Sequence, residues 1–222
     1  MIFDGTPYRD EFKRRIETIW RLLDSVDSVP PPATDVNIGR EMRGLVIVLL
    51  FASYENLIKA LCRGLLETAK SLGVGNRRLR PGFRLFTIYG HLTSISDQKR
   101  KETLESVGIK LLEEAFDSRN RSINPNVFPS DGSFMKRSQI LLFCDLFDLG
   151  DPGPILREVW DRLDTIVVER NKVAHGGATP EEIGRGYTPE DTRRLVQLWD
   201  ERWTSFIDDI VAKAASREFF RK

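Results

Sequence analysis

Leu45-Val46-Ile47-Val48-Leu49-Leu50-Phe51-Ala52 is an apolar run of eight residues within a stretch, from about Ile38 to Leu72, that contains no proline. A run this short also suits a buried strand. Its continuation decides for helix, because Ser53-Tyr54-Glu55-Asn56-Leu57-Ile58-Lys59 is followed by Leu61, Cys62, Leu65 and Leu66 at helical spacing, and Gly73 supplies a C-terminal stop. A helix apolar on all sides is enclosed by neighbours around its circumference. The reading is therefore one long central helix from about 38 to 72 with other helices packed round it.

The flanking sequence supplies those neighbours. Thr6-Pro7 is an N-cap with proline at the first helical position, and Tyr8, Phe12, Ile16, Ile19, Leu23 and Val26 then recur at spacings of three and four, which predicts an amphipathic helix ending near Asp27. The proline cluster from Ser28 to Asp35 is a stiff connector. Further helices are expected over 97–116, with Ser96 as N-cap, over 133–148 and over 155–175, the last stopping at Gly176-Gly177. Thr188-Pro189-Glu190-Asp191 is a capped start, and Leu195, Leu198, Trp199, Trp203, Phe206, Ile207, Ile210 and Val211 mark a final long helix in which both tryptophans read as core or interface residues. No strand or long repeat emerges. The fold class is all-α, a bundle of up-and-down long helices with an elaborated middle: 1–36 form an N-terminal helix and connector, 37–222 a helical domain with a variable insert at about 76–132.

Composition narrows the function. Lys and Arg total 34 against 33 Asp and Glu, a formal charge of +1, so no globally basic face is available for nucleic acid. With 41% hydrophobic and 30% charged residues the chain has the composition of a globular protein. The longest apolar run falls well short of the roughly 18 residues that span a bilayer, and Met1-Ile2-Phe3-Asp4-Gly5 has no signal-peptide layout, so no membrane association and a cytoplasmic location are expected. Cys62 and Cys144 have no partners at metal-ligand spacing, which argues against a zinc site or disulfide scaffold. Phosphate-cradling Gly-rich loops, Gly-x-Ser-x-Gly and His-Glu-x-x-His are absent. Neither metal nor cofactor is expected.

One constellation carries chemistry. On the 155–175 helix, stepping about 100° per residue places Leu156, Val159, Leu163, Ile166, Val167, Val173 and Ala174 on one stripe, with Arg170 near its centre. An arginine there is costly unless an ion-pair partner, such as Glu55, or an anionic ligand meets it. Asn171 and His175 are four apart and share a flank, and His175 occupies the last turn, where the helix macrodipole favours cationic groups. Taken alone, a histidine before Gly-Gly is a helix-end residue.

Glu169-Arg170-Asn171-Lys172-Val173-Ala174-His175-Gly176 resembles the Arg-x4-6-His signature of the HEPN superfamily of helical ribonucleases and nucleotide-associated modules, down to the polar residue after the arginine and the glycine after the histidine. The polar patch Ser53 to Lys59 on the earlier long helix resembles a second family feature. Over roughly 37–211 the layout is similar to RiboL-PSP-type and related bacterial HEPN domains, which are linked to toxin–antitoxin and phage-defence operons. The resemblance implies metal-independent RNA cleavage, with Arg170 and His175 catalytic and Asn171 and Glu55 supporting. A single His175 leaves acid and base unfilled together, and a two-fold homodimer supplies the second copy. An antitoxin or defence partner protein is implied as well. The rival expectations are a non-catalytic HEPN module binding RNA, nucleotide or protein, and a structural scaffold in which Arg170 is ion-paired and buried.

The 76–101 segment is basic, with Arg77, Arg78, Arg80 and Arg84 among Phe83, Phe86 and Tyr89. Such a mixture can track a phosphate backbone and stack bases, or be a solvated run whose aromatics turn into the core. His91 has no partner at a telling spacing and reads as structural.

Overall fold

The structure is a computed structural model that describes residues 3–27, 36–96, 107–117, 123–130 and 132–222. In chain order the helices are α1 (Thr6–Asp27), α2 (Val36–Ser71), a 3-10 turn (Asn76–Arg78), α3 (Pro81–Ser96), α4 (Gly108–Phe116), α5 (Arg137–Leu146), α6 (Gly153–Leu156), α7 (Glu158–Ala174), α8 (Pro180–Gly184) and α9 (Pro189–Lys213). Among the described residues the only strand-like pairing is an isolated bridge between Leu79 and Arg221. The fold is all-α, as the periodicity predicted.

Helix α2 is the axis. It packs against α1, α7, α8 and α9, and Val46, Ile47, Leu50, Phe51, Tyr54, Ile58, Leu61, Leu65 and Leu66 are all essentially inaccessible. Ile38–Ser71 is long and apolar enough to cross a membrane by length and composition, a property the eight-residue run did not reveal. In the fold 56% of its apolar 18-residue window is buried, against the other helices. α1 contributes Phe12, Ile16, Ile19 and Leu23 to this same core. α9 contributes Trp199 and Trp203, which ring Tyr54 at centroid distances of 5.5 and 5.4 Å. Both tryptophans are core residues.

Several boundaries differ from the sequence expectation, each for a local reason. The basic segment holds a helix: Pro81 opens α3, Phe83, Phe86 and Thr87 point inward, and the arginines around them masked the apolar spacing. Ser96, the expected N-cap, falls within α3, and of the expected 97–116 helix the described part is α4, with 97–106 outside the described residues, as is the connector 28–35. α5 begins at Arg137, because Met135 two residues earlier has φ 53°, and its first N–H is capped from another helix by Asp164, whose Oδ1 accepts from Arg137 N at 2.8 Å. The expected 155–175 helix is two pieces, broken at Arg157, where φ 46° and ψ −119° leave helical space. The stripe holds through Val167, but in the last turn Val173 is half-buried and Ala174 exposed.

Helix α8 has no counterpart in the periodicity. It is five residues long, started by a reciprocal capping box between Thr179 and Glu182, and its backbone lies directly on that of α2. A Cβ on Gly44 would overlap the Pro180 carbonyl, and one on Gly184 the Arg40 carbonyl. Arg43 Nε, donating to Gly184 O at 3.3 Å, ties the crossing together.

Candidate functional site

The end of α7 is built by its glycines. Gly176 takes φ 71°, Gly176 N donates to Val173 O at 3.2 Å and Gly177 N to Lys172 O at 2.7 Å. This pair of bonds is a Schellman closure with His175 at the C-cap, and the left-handed residue after the cap favours glycine. The glycine following the histidine thus has a backbone role. α8 then begins four residues later and is pressed on α2, so the turn carrying His175 is clamped on both sides. The His175 ring is exposed, and among the described residues it makes no side-chain hydrogen bond or ion pair.

Arg170 lies one turn earlier and is half-buried. Its guanidinium Cζ sits 4.6 Å from the Phe51 ring centroid and 5.3 Å from that of Phe134, and Nη1 donates to Asn171 Oδ1 at 2.9 Å. Among the described residues no carboxylate pairs with it. Ring faces attract a guanidinium by roughly 0.5–2 kcal/mol, so the aromatic seat offsets part of the desolvation without neutralising the charge. Glu55 is not its counter-ion. Glu55 Oε1 accepts from Lys59 at 2.6 Å on the same helix, and Lys59 Nζ in turn stands 5.6 Å over the Phe134 ring.

The segment bearing Phe134 is fastened to both helices of the site. Tyr54 on α2 donates its hydroxyl to Met135 O at 2.7 Å, and Asp164 on α7 holds Arg137 through the backbone contact above and through Nε at 3.2 Å. Burial, and after it the charges of Glu55 and Asp164, push the Tyr54 phenol well above its ordinary range, against a smaller downward pull from Arg170. The phenol stays a neutral donor. Tyr54→Phe should cost about 1–2 kcal/mol, because the Met135 carbonyl loses its partner, and should loosen the Phe134 segment; urea unfolding and proteolysis between 130 and 137 check both.

Glu169 accepts from Tyr187 Oη at 2.6 Å. Burial raises its carboxyl above the ordinary carboxylate range, with the Tyr187 bond and the charges of Arg162 and Lys172 pulling the other way. The folded state therefore binds this proton more tightly than the unfolded one, and stability contributed by the protonated form is lost as pH rises through the raised value. Glu169→Gln keeps an acceptor for Tyr187 and should remove that loss. Thermal unfolding followed from about pH 4 to pH 7 should show the variant gaining on the wild type as pH rises.

The remaining candidates are dispersed. Arg84 donates to the carbonyls of Asn76, Arg77 and Leu79, fastening the 3-10 turn, and Arg80 pairs with Asp148 at 2.7 Å. Arg77 and Arg78 are exposed, while Phe83 and Phe86 are buried and unable to stack on a base. His91 does have a partner, Glu114 on α4, with Nε2 2.5 Å from Oε2. Cys62 and Cys144 are buried thiols pushed up to about 12 by burial, which leaves them protonated and inert.

Arg170 and Asn171 are thus brought together with Phe51 and Phe134, and His175 is presented to solvent a turn away. The sequence reading missed Phe51, Phe134, Lys59 and the Tyr54 tether. Phe51 was legible only as core, and Phe134 sits in an irregular segment where no periodicity marks it.

No curated protein and no solved structure matches this chain. The RiboL-PSP-HEPN family model matches residues 10–198, from α1 into α9 and across the whole Arg170 to His175 motif, and the protein belongs to that family.

Proposed function

We propose that the protein is a metal-independent endoribonuclease whose active site is completed when a second copy brings its own Arg170 and His175 to the same groove. The observation that carries this reading is Arg170, a guanidinium held on two aromatic rings with no carboxylate partner among the described residues. A scaffold role called for an ion-paired, buried Arg170, and the half-buried, unneutralised group argues against it. Such a cation suits the phosphate of an RNA backbone.

In the proposed reaction one His175 accepts the proton of a ribose 2′-OH as that oxygen attacks the adjacent phosphorus. The guanidinium fork of Arg170 meets the charge gathering on the non-bridging oxygens. The bond from phosphorus to the 5′-oxygen breaks, the second copy's His175 protonates the leaving oxygen, and the products are a 2′,3′-cyclic phosphate and a 5′-hydroxyl. Asn171 steadies the guanidinium through Oδ1, and Glu55 acts at one remove by holding Lys59. Among the described arginines of the basic segment, Arg77 and Arg78 are left to guide an incoming strand. Membership of a family linked to toxin and phage-defence operons supports a role as a cytoplasmic toxin or defence effector, held in check by an antitoxin or other partner protein.

The test is labelled RNA incubated with purified protein in EDTA. The expected result is cleavage to cyclic-phosphate ends, with specific activity rising with protein concentration until a dimer saturates. RNA bound tightly and left intact would identify a binding module instead.

A further inference from the structure

Phe134 is 45% exposed, whereas Phe51, with which it stacks at 5.5 Å and 28°, is 1% exposed. A large aromatic ring left open is unremarkable by itself. This one has three further properties. Its ring centroid lies 5.3 Å from the Arg170 guanidinium and 5.6 Å from the Lys59 ammonium, the latter also paired with Glu55 at 2.6 Å, so two cationic side chains adjoin one partly exposed ring. Its segment is fixed to α2 by Tyr54 and to α7 by Asp164, so the ring is positioned by the same two helices that supply Phe51 and Arg170. The centres of Phe51, Phe134 and Arg170 form a nearly equilateral triangle of 4.6, 5.3 and 5.5 Å, a packed corner in which Phe51 is buried, Arg170 is half-buried and Phe134 is the most exposed member.

We infer that Phe134 is a base-stacking platform: the nucleobase next to the phosphate held by Arg170 lies on its ring, with Lys59 meeting the neighbouring phosphate. The inference rests on the RNA reading of the Arg170 site and extends it by naming the residue that positions the base. A π-face recognises any nucleobase, purines more strongly through their larger rings, and it requires the base to be unpaired. Seating the base turns the adjacent ribose and phosphate towards Arg170, which is where a positioning interaction lowers the barrier. The two cations explain why the ring stays open, since covering it with an apolar neighbour would strip both of water.

The test uses the full chain and a single-stranded 2′-O-methyl RNA carrying 2-aminopurine, which lacks the nucleophile for the proposed cleavage and whose fluorescence is quenched on stacking. A matched abasic oligonucleotide serves as the comparison. The wild type should quench the probe and bind it about 10-fold more tightly than the abasic strand. Phe134→Leu keeps an apolar cover beside Arg170 without a π-face and should lose both the quenching and the preference, as should Phe134→Ala. Phe134→Trp should restore or exceed both. Thermal unfolding of each variant separates loss of the platform from loss of the fold. The inference is overturned if Phe134→Leu quenches and discriminates like the wild type, or if the wild type binds neither strand. Stacking intact in a protein that fails to cleave ordinary RNA would sink the ribonuclease reading and leave the platform standing.

Discussion

Replacing His175 with alanine is expected to reduce RNA cleavage by about 10²–10⁴-fold while leaving the unfolding temperature unchanged. The imidazole is exposed and makes no side-chain bond among the described residues, so its removal takes away a proton carrier and no packing. Substitutions at exposed positions of that kind ordinarily move stability by no more than about 0.5 kcal/mol. Arg170→Ala should lose activity to a similar extent for a different reason, since the developing phosphorane charge would have no fork to receive it. Arg170→Lys keeps the charge but neither the planar fork nor the geometry that lies on Phe51, and should recover little. Cleavage rates measured beside thermal melts decide the matter. Activity in His175→Ala equal to wild type would remove the histidine from the mechanism.

Gly44→Val should be among the most disruptive single changes available in this chain. The position lies inside α2, about two turns from its start, where glycine is intrinsically unfavourable and an added side chain would ordinarily help. Here the Cβ would overlap the Pro180 carbonyl, and a carbonyl in the first turn of a helix has no side-chain freedom with which to move aside. The variant should lose stability at or beyond the upper end of the roughly 1–3 kcal/mol typical of overpacking, or else push α8 off α2. In the second case the turn after His175 loses its clamp, and cleavage should fall even where most of the helix content survives. Circular dichroism melts and cleavage assays on Gly44→Ala and Gly44→Val grade the effect by size. Gly184→Ala, which would overlap the Arg40 carbonyl from the other side of the same crossing, should behave alike. A Gly44→Val protein as stable and active as wild type would mean that the crossing has no such role.

The sequence by itself determined the helices whose burial is periodic. The all-round apolar run from Leu45 to Ala52 placed α2 at the centre, and Thr6-Pro7 and Thr188-Pro189-Glu190-Asp191 marked the starts of α1 and α9, because capping and burial periodicity are local properties of a chain. Arg170, Asn171 and His175 were legible as a group because a helix fixes the relative directions of residues on one segment. The rest was settled by contacts between segments distant along the chain. Glu55 and Arg170 both looked like partners in search of a charge, and packing gave Glu55 to Lys59 and Arg170 to two phenylalanine rings. The arginines of the 76–101 segment hid the inward face of α3, and two of them proved to hold carbonyls or a carboxylate of their own fold. α8 is too short for periodicity to reveal, and only the approach of Gly44 to Pro180 gives it a place. Phe134 lies in an irregular stretch and acquired its position from Tyr54 and Asp164. A one-dimensional pattern records which face of a helix is buried; which side chain a given charge meets depends on distances between helices, and those exist only once the chain has folded.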